Sequence, residues 1–211
     1  MYIDLTQRVE EHMPVYPGTP SPIIRKVNTF EKNGFVEHEM SLCSHIGTHM
    51  DAPAHMIEGG RTLDTYPMEH FLGKAYLIDI EKKEPTVKEL RQKETELKSC
   101  KFVIFRTNWS KYWGKEKYFE GFPVPSLEVV KYLLEIGIKG FGIDTLSIDT
   151  SNTTTFENHK EILGKERTIT ENLMNLAHIQ SSSFEIAMIP LKIKDSDGCW
   201  VRAFAKIEKP S

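Results

Sequence analysis

Apolar and polar residues alternate from Phe35 to Cys43, placing Val36, His38, Met40 and Leu42 on one parity. That pattern predicts a strand with one face turned inward. Compact apolar runs at 75–80 and 101–106 have strand length. Between them, Thr86-Val87-Lys88-Glu89 follows Pro85 and has the form of a capping box, which predicts a helix from there to about Leu97. Ser126 is a second N-cap, for a helix through Leu127, Val130, Leu133 and Leu134 that ends at Gly137. A buried strand over 138–143 follows. Two late strands, 184–191 and 201–207, flank the turn-forming Asp195-Ser196-Asp197-Gly198. Strands and helices interleave after a mostly strand-and-loop N-terminal stretch. The expectation is an α/β protein with a mixed β-sheet.

Composition narrows this. The chain has 211 residues, 39% hydrophobic and 27% charged, enough apolar material for one sizeable core over 1–211 and no signature of disorder. No repeat, low-complexity tract or flexible linker divides it. Lys and Arg number 27 against 30 Asp and Glu, so clustered positive charge for nucleic acid is not expected. No apolar run approaches the ~18–20 residues of a membrane-spanning helix. The opening Met1-Tyr2-Ile3-Asp4-Leu5 lacks a basic-then-apolar leader. A soluble, cytoplasmic protein with no membrane partner is expected. Cys43, Cys100 and Cys199 are odd in number and widely spaced, and read as small buried free thiols.

The chemistry gathers in Ser44-His45-Ile46-Gly47-Thr48-His49-Met50-Asp51-Ala52-Pro53-Ala54-His55. Imidazole and carboxylate are natural donors for zinc, manganese or iron. Fully extended, the six steps from His45 to Asp51 would span ~20 Å. That is far too much for two ligands on one ion, each ~2.0–2.2 Å from it. A regular helix would pair His45 with His49 but rotate Asp51 off that face. The chain must therefore bend, and Gly47 and Pro53 stand where bends are needed. A loop-built site is expected.

This segment resembles the His-x-Gly-Thr-His-x-Asp-x-Pro-x-His signature of the cyclase-like metal hydrolases, which include bacterial kynurenine formamidases and isatin hydrolases. The resemblance extends to Met13-Pro14-Val15-Tyr16-Pro17-Gly18, Phe105-Arg106-Thr107, Gly142-Ile143-Asp144-Thr145, and the late Asp197-Gly198 with Val201-Arg202-Ala203. It implies a barrel-like core flanked by helices, of the swivelling β/β/α type. It implies a second ligand pair in the C-terminal half, matched here by His159 and by Glu171 of Glu171-Asn172-Leu173. The metal shell would then be His45, His49, Asp51, His159 and Glu171, holding one or two divalent ions, zinc before manganese. His55 is left as the acid/base group. The family implies a small-molecule substrate and a homo-oligomer, dimer or tetramer. Tyr16 would pack on an aromatic substrate; a rigid Pro-rich turn with an aromatic anchor explains it equally. Asp144, Ser147 and Asp149 could orient a ligand or simply cap a turn. Trp109, Tyr112 and Trp113 could be core, pocket or interface. Leu146 departs from the proline usual in the family at that place.

Three functions remain in view. The first is metal-dependent hydrolysis of an aryl formamide such as N-formylkynurenine. The second is a cyclase or a lactone or lactam ring hydrolase of the isatin type. The third is metal or small-molecule binding without turnover. A free His55 favours catalysis, since a structural ion needs no base, and structural zinc prefers closed shells often rich in cysteine.

Overall fold

Seven strands close into a barrel in the computed structural model, which describes residues 1–207. The elements in chain order are β1 (Tyr2–Asp4), β2 (Ile23–Asn28), α1 (Phe30–Asn33), β3 (Glu37–Ser41), β4 (His49–Asp51) and β5 (Leu72–Asp79). Then come α2 (Val87–Arg91), α3 (Glu94–Lys98), β6 (Phe102–Arg106), α4 (Leu127–Glu135) and β7 (Gly140–Ile143). The chain continues through α5 (Glu157–Leu163), β8 (Thr168–Glu171), β9 (Ser183–Pro190) and β10 (Gly198–Lys206). Strands β5, β6, β7 and β8 run parallel, as their helical crossovers require. The circuit closes through antiparallel β4, β10 and β9, which returns to β5, while β1 extends the sheet from β10. This is the expected α/β class with a mixed, barrel-like sheet. No helix among the described residues is long and apolar enough to cross a membrane.

Strand periodicity sorts the core into two layers. Ala75, Leu77, Phe102 and Ile104 point into the barrel with Met50, Phe184, Ile186, Val201 and Ala203. The alternate residues Tyr76, Ile78, Val103, Phe105, Phe141 and Ile143 pack outward under Leu90, Leu97, Val130 and Leu133 of the helices. The capping box forms as expected: Glu89 N–H donates to Thr86 Oγ1, and Thr86 N–H to the Glu89 carboxylate. The helix it starts is broken, however. It halts at Gln92 and restarts at Glu94, because apolar residues come only at Val87, Leu90 and Leu97 and the stretch between them is solvated. Ser126 caps α4 through Val129 N–H, as read from the sequence.

Two further expectations are corrected. Strand 37–41 exists, but all five of its residues are exposed. It pairs only with β2, as a two-stranded ribbon off the barrel, so its alternation has no inward face. Cys43 is half-buried rather than buried, unlike Cys100 and Cys199. Trp109, Tyr112 and Trp113 settle into a satellite aromatic cluster with Tyr118, Phe122 and Leu146.

Candidate metal centre

The site lies on the helix side of the barrel wall, beyond the carboxyl ends of β7 and β8, where open α/β sheets place ligands. In the β4–β8 pair His49 stands opposite Glu171 and Asp51 opposite Ile169. Period two sends His49, Asp51 and Glu171 outward and Met50 and Thr170 toward the barrel interior. The site is thus half strand, which corrects the expectation of a loop-built one. Two antiparallel strands in register bring three ligand-type side chains together on one face. The bends fall where expected. Gly47 takes φ +56°, a left-handed turn in which a Cβ would sit 2.8 Å from Met13 Cε. It folds His45 back so that Nδ1 lies 2.7 Å from Asp51 Oδ1. Pro53 opens a 3-10 turn, Pro53–His55, that returns His55 to the cluster. His159 arrives from α5.

Five side chains converge. His49 Nε2 is 3.3 Å from Asp51 Oδ1 and 3.7 Å from Glu171 Oε2. His159 Nε2 is 3.2 Å from Glu171 Oε1 and 3.6 Å from Asp51 Oδ2. Donor atoms each ~2.1 Å from a tetrahedral ion are roughly 3.4 Å apart, so these separations suit ligation. Asp51 is 1% exposed, yet its Oδ2 has no hydrogen-bond partner. A buried carboxylate oxygen without a donor costs free energy unless a cation meets it. His45, His49 and Asp51 form one group able to hold an ion, and Asp51, His159 and Glu171 a second, with Asp51 shared. The residues fit a divalent metal.

Outer contacts fix these groups in place. His49 Nδ1 donates to Gly47 O at 2.8 Å, leaving Nε2 for the centre. His159 Nδ1 donates to Asp149 Oδ2 at 2.7 Å, again leaving Nε2. Asp149 also accepts the backbone N–H groups of Asn158 and His159, so it caps α5 and orients its histidine together. Ile148 N–H donates to Glu171 Oε1 at 2.8 Å. Of the three residues the sequence left open, Asp149 therefore positions the centre, and Ser147 supports Asp149 N–H and lines the cavity. Asp144 instead clasps Thr107. Asn172, next to Glu171, is held by Tyr118 Oη at 2.7 Å and by Thr48 Oγ1.

Charge follows geometry. Burial pulls the His45 imidazole down, but the Asp51 and Asp197 carboxylates outweigh it and raise its pKa to about 9. Burial likewise opposes charge on His159, and Asp149, Asp51 and Glu171 hold its pKa well above the ordinary value. Asp51 is penalised by burial, yet His49 and His45 keep its carboxyl well below the usual range. His55 moves the other way: burial, with the nearby His45 and His159, lowers it despite Asp51 and Glu171. Its ring stacks on His45 at 3.8 Å and stands 6.2 Å from His159. It belongs to neither ligand group built around Asp51.

A cavity of about 430 Å³ opens over the cluster, walled by Val15, Tyr16, Ile46, Met56, Leu146 and Phe156. Tyr16 is 36% exposed. Sequence reasoning passed over Asp197 as a turn residue; its Oδ2 lies 2.9 Å from His45 Nε2. Nothing local in Asp-Ser-Asp-Gly separates a turn aspartate from one that reaches a residue 152 positions away.

The fold and site together are a closed mixed barrel carrying a histidine–carboxylate cluster able to hold a divalent ion. The profile of the family described as putative cyclase matches residues 3–150, and the chain belongs to that family. A kynurenine formamidase of Geobacillus thermodenitrificans is 28% identical over 204 residues, covering 96% of this chain and 95% of its own. The structure of an isatin hydrolase bound to the product analogue thioisatinate superposes with a TM-score of 0.87 at 25% identity, over 99% of this chain and 92% of that one. A potential metal-dependent hydrolase with cyclase activity aligns at a TM-score of 0.76 and 26% identity, over 100% and 99% of the two chains. Metal-dependent hydrolases are thus among the proteins that this member of the family is similar to.

Proposed function

We propose that the protein hydrolyses the carbon–nitrogen bond of an aryl formamide or related aryl amide of the N-formylkynurenine kind. The observation that carries this reading is the buried, donorless Asp51 Oδ2 shared by two ligand groups, next to a histidine outside both and under a largely apolar cavity. His45, His49, Asp51, His159 and Glu171 would hold the metal, zinc or manganese, as one ion or two. A bound divalent ion supplies Lewis acidity, polarising a carbonyl and acidifying water. His55, whose pKa burial lowers, accepts a proton from the attacking water at a ring nitrogen. It returns that proton to the leaving nitrogen as the carbon–nitrogen bond breaks, so that the water's oxygen ends on the carbonyl carbon. Ile46, Met56, Leu146 and Phe156 take the aryl ring out of water, and Tyr16 packs on it from the cavity wall.

Opening of a lactam ring is the second reading, favoured by the similarity to an isatin hydrolase over 99% of the chain. The test is protein purified without chelator, assayed for metal, and followed on N-formylkynurenine, formanilides, isatin and lactones with and without EDTA. Chelator-sensitive release of formate from the formamides is expected. Turnover of isatin alone would replace the first reading by the second, and bound metal without turnover of any substrate would leave binding alone.

A further inference from the structure

The turn between β9 and β10 enters the cluster from the far end of the sequence. Asp197 Oδ2 lies 2.9 Å from His45 Nε2 and 3.8 Å from His55 Nδ1. The His45 and His55 rings stack at 3.8 Å with 29° between their planes. In stacked imidazoles the in-plane lone pairs run side by side instead of converging. The trio of His45, His55 and Asp197 therefore suits the single hydrogen bond between His45 and Asp197, with His55 stacked alongside, better than ligation of another ion, although its donor atoms are close enough to one another to hold one.

The backbone of the turn is locked. Ala52 N–H donates to Asp197 O at 2.8 Å and Leu63 N–H to Ser196 O at 3.0 Å. These bonds tie the turn to the segments on either side of the His55 turn. Gly198 completes the seat: a Cβ there would lie 2.3 Å from His45 Cε1 and 2.7 Å from Nε2. Only a glycine lets the imidazole lie against β10 at this distance. The His45 ring is thus held on both edges, Nδ1 toward Asp51 and Nε2 toward Asp197.

We propose that Asp197 is a positioning residue for the metal centre, fixing His45 through Nε2 so that Nδ1 is the ligand, with Gly198 as the required seat. This rests on the metal-hydrolase reading above. In that arrangement His159 leans on Asp149, His49 on Gly47 O and His45 on Asp197, so each imidazole has its own outer acceptor. Loss of such a partner costs on the order of 10–100-fold in metal affinity.

The test is titration of metal-free protein with Co²⁺, read by its visible absorption and by competition with Zn²⁺, for wild type, Asp197→Asn and Gly198→Ala. Asp197→Asn should weaken Co²⁺ binding about 10–100-fold and alter the Co²⁺ spectrum, while the melting curve of the metal-free protein stays that of wild type. Gly198→Ala should act in the same direction with Asp197 intact, and it decides the matter if Asp197→Asn does not fold. Wild-type affinity and spectrum in both variants would overturn the proposal. So would a lowered melting temperature with an unchanged spectrum, the mark of a merely structural turn. If wild type itself binds neither ion, the functional reading fails first, and the two failures are told apart by that control.

Discussion

His55 and Asp144 show how burial sets the charge of single groups. His55 stands outside both ligand groups around Asp51, so its loss should leave the metal in place. His55→Ala is expected to lower kcat by about 10²–10⁴-fold, with metal content by elemental analysis unchanged. Metal lost in parallel with activity would instead make His55 a ligand. Asp144 is fully buried; its Oδ1 accepts from Thr107 N–H and Oγ1, while Oδ2 has no partner. Burial outweighs those donors and pushes its carboxyl up to about 6. Between its ordinary value near 3.8 and that figure, the folded protein keeps a proton that the unfolded chain has released. Its contribution therefore weakens as pH rises through that window, by roughly 3 kcal/mol in all. Asp144→Asn cannot ionise, so its stability relative to wild type in denaturant titrations should climb between pH 4 and pH 7. A pH-independent difference would show that Asp144 stays ionised when buried.

At the scale of elements, short pieces carry the site. Strand β4 has three residues, two of them ligand candidates, and its partner β8 carries a third. The His55 turn is pinned by close backbone approach: a Cβ on Gly60 would lie 2.6 Å from Pro53 C and 2.7 Å from Ala54 N. Backbone atoms cannot yield as a flexible side chain can. Gly60→Ala is expected to cost about 1–3 kcal/mol in thermal or denaturant unfolding and to reduce turnover by shifting His55. Unchanged stability would mean that the turn is loose. Elements with strong local signals were legible in the sequence: the capping box at Thr86, the cap at Ser126, and the apolar runs of β5, β6 and β7. Strands β4 and β8 were not. Their residues alternate only once or twice, and what makes them strands is a partner supplied by the barrel.

Across the whole molecule, the ligand candidates come from β4 and the bend before it, from α5 and from β8, more than a hundred residues apart in the chain between Asp51 and His159. An ion that binds this assembly and not the unfolded chain stabilises the fold by linkage. With free zinc or manganese at about 100 times Kd, the gain is about 2.7 kcal/mol. For a chain of this length that raises Tm by roughly 5–10 °C. EDTA should reverse the shift in a melting experiment, and an identical Tm with and without metal would speak against a centre that ties these elements together.

The motif from His45 to His55 and the type of chemistry it supports were written in adjacent residues, because glycine and proline at set places force local bends whatever surrounds them. His159 and Glu171 could be placed only by resemblance, since nothing in their own neighbourhoods marks them. Tertiary structure alone decided that β4 and β8 pair in register, that Asp149 stands behind His159, and that Asp197 meets His45. It also left the alternating strand 37–41 without an inward face. Those are contacts between distant segments, and a contact of that kind exists only once the barrel has closed.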